Sequence, residues 1–215
     1  MTSFAQPGQI CIHCEETGPR FEHAAAYGEY EGGLRGLIHL LKYQGVRSAA
    51  RPLGQHLSQA MRFALHECDG SFVVVPVPLH RQRRNSRGFN QTELIARVAL
   101  RELRDLPVEL EPKLLKRTRF TESQTGFTRE QRRENLRGAF AVPDPARVKG
   151  RSILLVDDVL TTGATADECS RILMRAGAKQ VLVVTVARAV TLDGVAPATK
   201  TCSVLEASAR ETASV

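Results

Sequence analysis

The sequence predicts an α/β fold, a parallel sheet flanked by helices, on three observations. Apolar runs at residues 72–77, 153–156 and 181–186, rich in branched side chains, have the form of strands buried on both faces. Between them, apolar residues recur three and four apart, the period of a helix packed on one side. Strands alternating with helices join through right-handed crossovers into a parallel sheet.

The elements follow in order. Residues 24–30 read as a first short strand, and Leu34, Leu37, Ile38 and Leu41 as the buried side of the helix after it. A second helix starts near Pro52, which the first turn tolerates, and buries Leu53, Leu57, Ala60, Met61, Ala64 and Leu65. Strand 72–77 leads into a basic loop and then a helix over 90–103, with Leu94, Ile95, Val98 and Leu103 inward. Short strands within 108–118 and 139–142 enclose a polar, Arg-rich connection. Strand 153–156, helix 165–176, which Gly177 ends, and strand 181–186 complete the domain, taken as 24–188. Residues 1–23 stand outside it as the remnant of a Cys-containing segment. Residues 189–215, small or polar without a sustained apolar period, are expected to form a poorly ordered tail.

A chain of 215 residues can bury one sizeable core. No apolar run approaches the roughly 18 residues of a membrane span, and the start lacks the charged and apolar regions of a signal peptide, so a cytoplasmic location is expected. Five cysteines at irregular spacing do not describe a disulfide framework. Trp is absent and aromatic residues make up 5%, which argues against an extensive base-stacking platform for single strands. The net charge of +7 is concentrated between His80 and Gly138, where fifteen Lys/Arg face eight Asp/Glu. A solvated basic face would explain such a stretch, and so would a polyphosphate or nucleic-acid surface.

The strand Ile153-Leu154-Leu155-Val156 runs into two carboxylates, Asp157 and Asp158, and then, after Val159 and Leu160, into Thr161-Thr162-Gly163-Ala164-Thr165 at the start of a helix. Acids at the carboxyl end of a strand can accept bonds from ribose hydroxyls, while the Thr hydroxyls and free backbone N–H groups of the turn face a 5'-phosphate. Gly163 lets the backbone come close. The segment is not a P-loop, because no Gly-Lys-Ser/Thr follows. It resembles the motif with which type I phosphoribosyltransferases bind phosphoribosyl pyrophosphate (PRPP).

A second segment, Pro76-Val77-Pro78-Leu79-His80-Arg81-Gln82-Arg83-Arg84-Asn85-Ser86-Arg87-Gly88-Phe89-Asn90-Gln91, follows a core strand and carries four Arg, the residue type for polydentate phosphate contacts. Together with the acidic motif, with Leu40-Leu41-Lys42-Tyr43-Gln44-Gly45 and with stretches at 117–124 and 132–140, it resembles the ComF family of competence proteins. The resemblance covers roughly residues 24–188. It implies a type I phosphoribosyltransferase-like fold with a small hood and a mobile flap. PRPP would lie on Asp157, Asp158 and Thr161, Thr162, Gly163, Ala164 and Thr165. The pyrophosphate loop would comprise Pro78, Leu79, His80, Arg81, Arg83, Arg84 and Arg87. The flap would span 119–138, with Arg117, Gln124, Arg132 and Asn135 as its candidate contacts. Lys42 is a candidate pyrophosphate contact, although Lys and Gly also suit an ordinary helix end.

Cys11-Ile12-His13-Cys14 has the spacing of half a zinc site, and ComF-like proteins often carry further Cys pairs upstream. Structural zinc needs four ligands, so Cys11 and Cys14 would require His13, His23 or another chain; structural Zn2+ is the disfavoured reading.

Two functions from different classes follow. One is a transferase that uses Mg2+ with PRPP and passes ribose 5-phosphate to a nitrogenous acceptor in nucleotide metabolism. The sequence assigns neither the acceptor nor a catalytic residue. Thr161 stands where 6-oxopurine-specific relatives have an Asp, which weakens a claim to that chemistry. The other, favoured by the resemblance, handles incoming single-stranded DNA during natural transformation, alongside DNA-uptake machinery proteins, with the same PRPP-binding site. A regulator that retains the fold is a third.

Overall fold

The computed structural model describes residues 18–66, 68–120, 129–189 and 202–204. Six parallel strands form the main sheet: β1 (His23–Glu29), β2 (Phe72–Pro76), β3 (Val108–Leu110), and, further along the chain, β6 (Ser152–Leu160), β7 (Gln180–Arg188) and β8 (Cys202–Val204). Their order is β3-β2-β6-β7-β1-β8. A second, antiparallel sheet pairs β4 (Lys116–Arg117) with β5 (Phe140–Ala141). Strand β8 adds to the open edge of β1, so three residues of the segment read from sequence as tail belong to the sheet. Their period is too short to register in a sequence of small and polar residues.

The central strands are buried on both faces, as their unbroken apolar runs require. Leu154, Leu155 and Val156 of β6 are each 0% exposed. Full burial of such a side chain contributes about 1.5–3 kcal/mol. Alternation along the strands divides the interior into two layers. Phe72, Val74, Leu154, Val156, Leu182 and Val184 face helices α1 (Gly32–Tyr43), α2 (Ala50–Leu65) and α4 (Gln91–Ala99). Val73, Val75, Ile153, Leu155, Val181 and Val183 face α6 (Ala164–Arg175) and the β4–β5 sheet.

Two short helices complete the structure, α3 (Arg81–Arg87) and α5 (Arg129–Leu136). The helices expected at 90–103 and 165–176 are present with shifted ends: α4 stops at Ala99 and a 3-10 turn carries the chain to Glu102. Helix α2 crosses α4 closely because position 54 is glycine. A Cβ there would meet Val98 Cβ and Cγ1 at 2.5 Å.

Candidate ribose-phosphate site

The site is built at the carboxyl end of β6. Strand β2 pairs with β6 only as far as Pro76 opposite Val156, whereas β7 continues opposite Asp157, Val159 and Leu160. The sequence reading ends the strand at Val156. The two acids instead belong to it, because β7 extends the ladder, and they stand where the β2 edge has been left open.

Asp158, in step with Leu154 and Val156, turns toward α1 and α4. Its Oδ1 lies 2.6 Å from Lys42 Nζ, and its Oδ2 accepts a bond of 2.8 Å from Gln91 Nε2. Gln91 Oε1 in turn accepts from Arg87. Asp157 Oδ1 accepts the backbone N–H of Asp158 at 2.8 Å and the Thr92 hydroxyl at 3.4 Å. Loss of surrounding water, followed by repulsion from Asp158, pushes the Asp157 carboxyl up to about 7, against the opposing charges of Lys42 and Arg117. Burial works against the charge on Lys42, yet the two carboxylates, Asp158 foremost, hold its pKa above the ordinary lysine value. Near neutral pH the pair is thus divided: Asp158 has a cation of its own, and Asp157 is poised between charged and neutral forms.

After β6 the chain bends through Thr161, Thr162 and Gly163. Gly163, at φ 75°, adopts the left-handed conformation that glycine favours and sets the start of α6. No side chain caps this helix. Asp167, the acid of its first turn, instead accepts the backbone N–H of Arg20 at 2.8 Å. The leading N–H groups, from Ala164 and Thr165 onward, therefore remain suited to an anion. Thr161 is exposed, and Thr162 and Thr165 are half-buried.

Pro78, Leu79 and His80 lead from β2 into α3, so most of the expected basic loop is helical. Its ends explain why: His80 Nδ1 accepts the Gln82 N–H at 3.3 Å, and Gly88 closes the helix at φ 77°. The helix divides the four arginines. Arg81 and Arg84 are exposed, whereas Arg83 and Arg87 are half-buried. The Arg83 guanidinium lies 5.8 Å from the centre of the Phe120 ring, and that of Arg87 lies 6.0 Å from the Tyr43 ring. Burial lowers the Arg87 pKa, and Asp158 partly offsets this. Asn90 fixes the junction with α4: its Oδ1 accepts the Thr92 N–H and its Nδ2 donates to Val77 O, both at 3.1 Å.

Among the flap candidates, Arg117 sits on β4, 5.2 Å from the Phe140 ring centre. Burial, and then Arg83, lowers its pKa, while Asp157 opposes them. Arg132 and Asn135 lie on α5; the Asn135 carbonyl accepts from Arg119 at 2.8 Å. Gly138, just beyond α5, donates its N–H to Glu168 Oε1 at 2.8 Å, fastening this end of the segment to α6. A cavity of about 520 Å³ lined by Arg119, Gln131, Glu134, Asn135 and Arg137 belongs to this segment and not to the acid pair. Gln124, Cys11 and Cys14 lie outside the described residues.

Of the residues singled out from sequence, the fold unites Lys42, Arg87, Asp157 and Asp158 through direct contacts and one bridging side chain, with Arg117 acting electrostatically. Arg81 and Arg84 face solvent. Lys42, the candidate pyrophosphate contact, is paired with Asp158. Gln91, the bridge, was identified from sequence only as part of Arg-Gly-Phe-Asn-Gln, and Thr92 follows it directly. Their placement at the start of α4, facing the end of β6, assigns them to the site.

Among the described residues no group of three or more His, Cys, Asp and Glu is placed to hold a metal ion, and no helix is long and apolar enough to cross a membrane. Mg2+ carried on a polyphosphate does not need a protein cage, since it is usually held by one or two carboxylates together with phosphates and water. Asp157 fits that part, because its Oδ2 has no hydrogen-bond donor among the described residues.

The family model described as "Phosphoribosyl transferase domain" matches residues 45–195. The chain is 34% identical over 184 residues to "Competence protein F" of Haemophilus influenzae, covering 84% of this chain and 79% of the relative. It is 32% identical to "DNA utilization protein YhgH" of Escherichia coli K12, covering 80% and 75%. A solved glutamine PRPP amidotransferase from B. subtilis aligns with a TM-score of 0.40 and 24% identity, over 65% of this chain and only 26% of that one. With a type I phosphoribosyltransferase-like sheet, a family match over most of its length and relatives at this identity, the chain belongs to the ComF family of phosphoribosyltransferase-like proteins.

Proposed function

We propose that the site binds PRPP as its Mg2+ complex and that the protein uses it while handling incoming single-stranded DNA. The observation that carries the first part is the position of Asp157 and Asp158 on the open edge of β6, directly before a turn that ends in an uncapped helix. Ribose hydroxyls would donate to the acids, and the 5'-phosphate would take the leading N–H groups of α6. Arg83, Arg87 and Arg117 would face the pyrophosphate, with Lys42 exchanging part of its contact with Asp158 for it. Mg2+, held by Asp157 and the pyrophosphate, would neutralise charge on that leaving group. The residues' part is positioning and electrostatic stabilisation.

Kinship with proteins named for competence and DNA utilisation supports a competence-related function. The charge excess at 80–138 supports a single-stranded DNA partner. Calorimetric titration with Mg-PRPP, of the wild type beside Asp157→Asn/Asp158→Asn, tests the ribose-phosphate reading. Heat of binding in the wild type that is lost in the double variant is the expected result, and a silent wild type overturns the reading.

A further inference from the structure

Few large apolar side chains are exposed among the described residues, and two of the three exposed aromatic rings flank the same helix. Tyr43 is 68% exposed and Phe120 46%, and both lie against α3. Each is held in a similar way. The Tyr43 ring has the Arg87 guanidinium 6.0 Å from its centre and the His39 ring at 4.7 Å, tilted by 41°. The Phe120 ring has the Arg83 guanidinium at 5.8 Å and the edge of His80 at 5.2 Å. Arg83 and Arg87 are four residues apart, one turn on the same face of α3. The outer side of that helix adds Arg81 and Arg84, both exposed.

Two exposed rings, each braced on one side by a cation, leave a flat apolar face open to a planar partner. The contacts also tie one ring to the acid pair: Arg87 touches Gln91, Gln91 touches Asp158, and Asp158 touches Lys42, the neighbour of Tyr43. Bases of a single strand present flat π faces, and their backbone presents regularly spaced anions. Exposed rings alternating with arginines match both. A duplex hides those faces in its own stack.

We infer that Tyr43 and Phe120 are stacking positions for bases of single-stranded DNA, braced by Arg87 and Arg83, with the exposed Arg81 and Arg84 taking its phosphates. The inference rests on the DNA-handling reading above and assigns it residues. A limited platform of two rings is compatible with the low aromatic content, which counts only against an extensive one.

The test is fluorescence anisotropy with labelled dT12, an abasic strand of equal length and charge, and a 12-bp duplex. The wild type should bind dT12 at least fivefold more tightly than the abasic strand. Tyr43→Ala and Phe120→Ala should each weaken dT12 about five- to 100-fold, the range expected for one stacked base. Both should leave the abasic strand within twofold and the salt dependence unchanged. Tyr43→Phe and Phe120→Tyr, which keep a ring, should restore dT12 binding. Equal binding of dT12 and the abasic strand by the wild type, or a parallel loss for both strands in the Ala variants, overturns the stacking positions while leaving DNA binding in place. Preference for the duplex also overturns them. Absence of binding to every probe overturns this inference and the DNA-handling reading together, and the Mg-PRPP titration reports separately on the ribose-phosphate site.

Discussion

Lys42 Nζ stands 2.6 Å from Asp158 Oδ1, and this contact closes a ring of side chains from Lys42 through Asp158, Gln91 and Arg87 to the Tyr43 ring, whose residue adjoins Lys42. The Asp158 side chain is 5% exposed and that of Lys42 19%. A carboxylate so enclosed needs its countercharge.

Lys42→Met should therefore destabilise the protein by about 2–4 kcal/mol, slightly below the range for breaking a fully buried pair. Urea unfolding at pH 7 measures it. The folded Lys42 pKa is raised above the ordinary 10.5, so the pair's contribution is complete below that value and is lost as pH rises through the folded pKa. The difference between wild type and variant should shrink only in strongly alkaline solution.

Asp157 should impose a dependence of the same sign at lower pH. Its carboxyl titrates at about 7 in the fold against 3.8 for the ordinary group. Between these values the folded state holds more of the proton than the unfolded state does, so stability falls as pH rises. Asp157→Asn removes that slope. The variant should match the wild type near pH 4 and exceed it by a few kcal/mol above pH 7, read from unfolding midpoints across the interval.

Gly54→Ala separates propensity from packing. Alanine in a helix interior gains about 1 kcal/mol over glycine. Here the new methyl would meet Val98 at 2.5 Å, and overpacking typically costs about 1–3 kcal/mol. The net effect should be destabilising by up to about 2 kcal/mol. Gly54→Ala/Val98→Ala should recover most of the clash, and a double variant no better than the single one would show that α2 and α4 do not meet there.

Glu168→Ala should loosen the segment that ends at Gly138. Glu168 accepts from the Gly138 N–H and pairs with Arg171 at 2.7 Å. Burial would raise its pKa, but these two partners more than reverse that and hold it below the usual value. Its contribution is present above the ordinary value of 4.5 and is lost as pH falls through the lower folded value. At neutral pH, limited trypsin digestion should cut faster at Arg132, Arg133 or Arg137 in the variant. An unchanged digestion pattern would mean that the fastening does not govern access.

The central strands were legible in the sequence because burial on both faces leaves an unbroken apolar run, as at 153–156. The end of β6 was not, because two acids look like a strand's end and only the pairing of β7 with Asp157 and Leu160 carries it on. Helix α3 is equally hidden: Arg, Gln, Asn and Ser provide no apolar period, and its ends at His80 and Gly88 define it. At the site, the order of Asp157, Asp158 and the threonine turn is legible in the sequence as a candidate ribose-phosphate motif. Nothing local in the sequence could announce that Lys42, 116 positions away, would occupy Asp158.

The sheet order has a consequence for biosynthesis. Of the described strands β1 is the first to be made, yet it lies between β7 and β8, the last two of them. At about 5–20 residues per second, β1 waits on the order of 10 s for its first neighbour. Meanwhile α2 can already pack on α4, but the part of its apolar face that meets β7 in the finished sheet waits for that strand. The β1 edges of the nascent chain thus stay unpaired until β7 emerges.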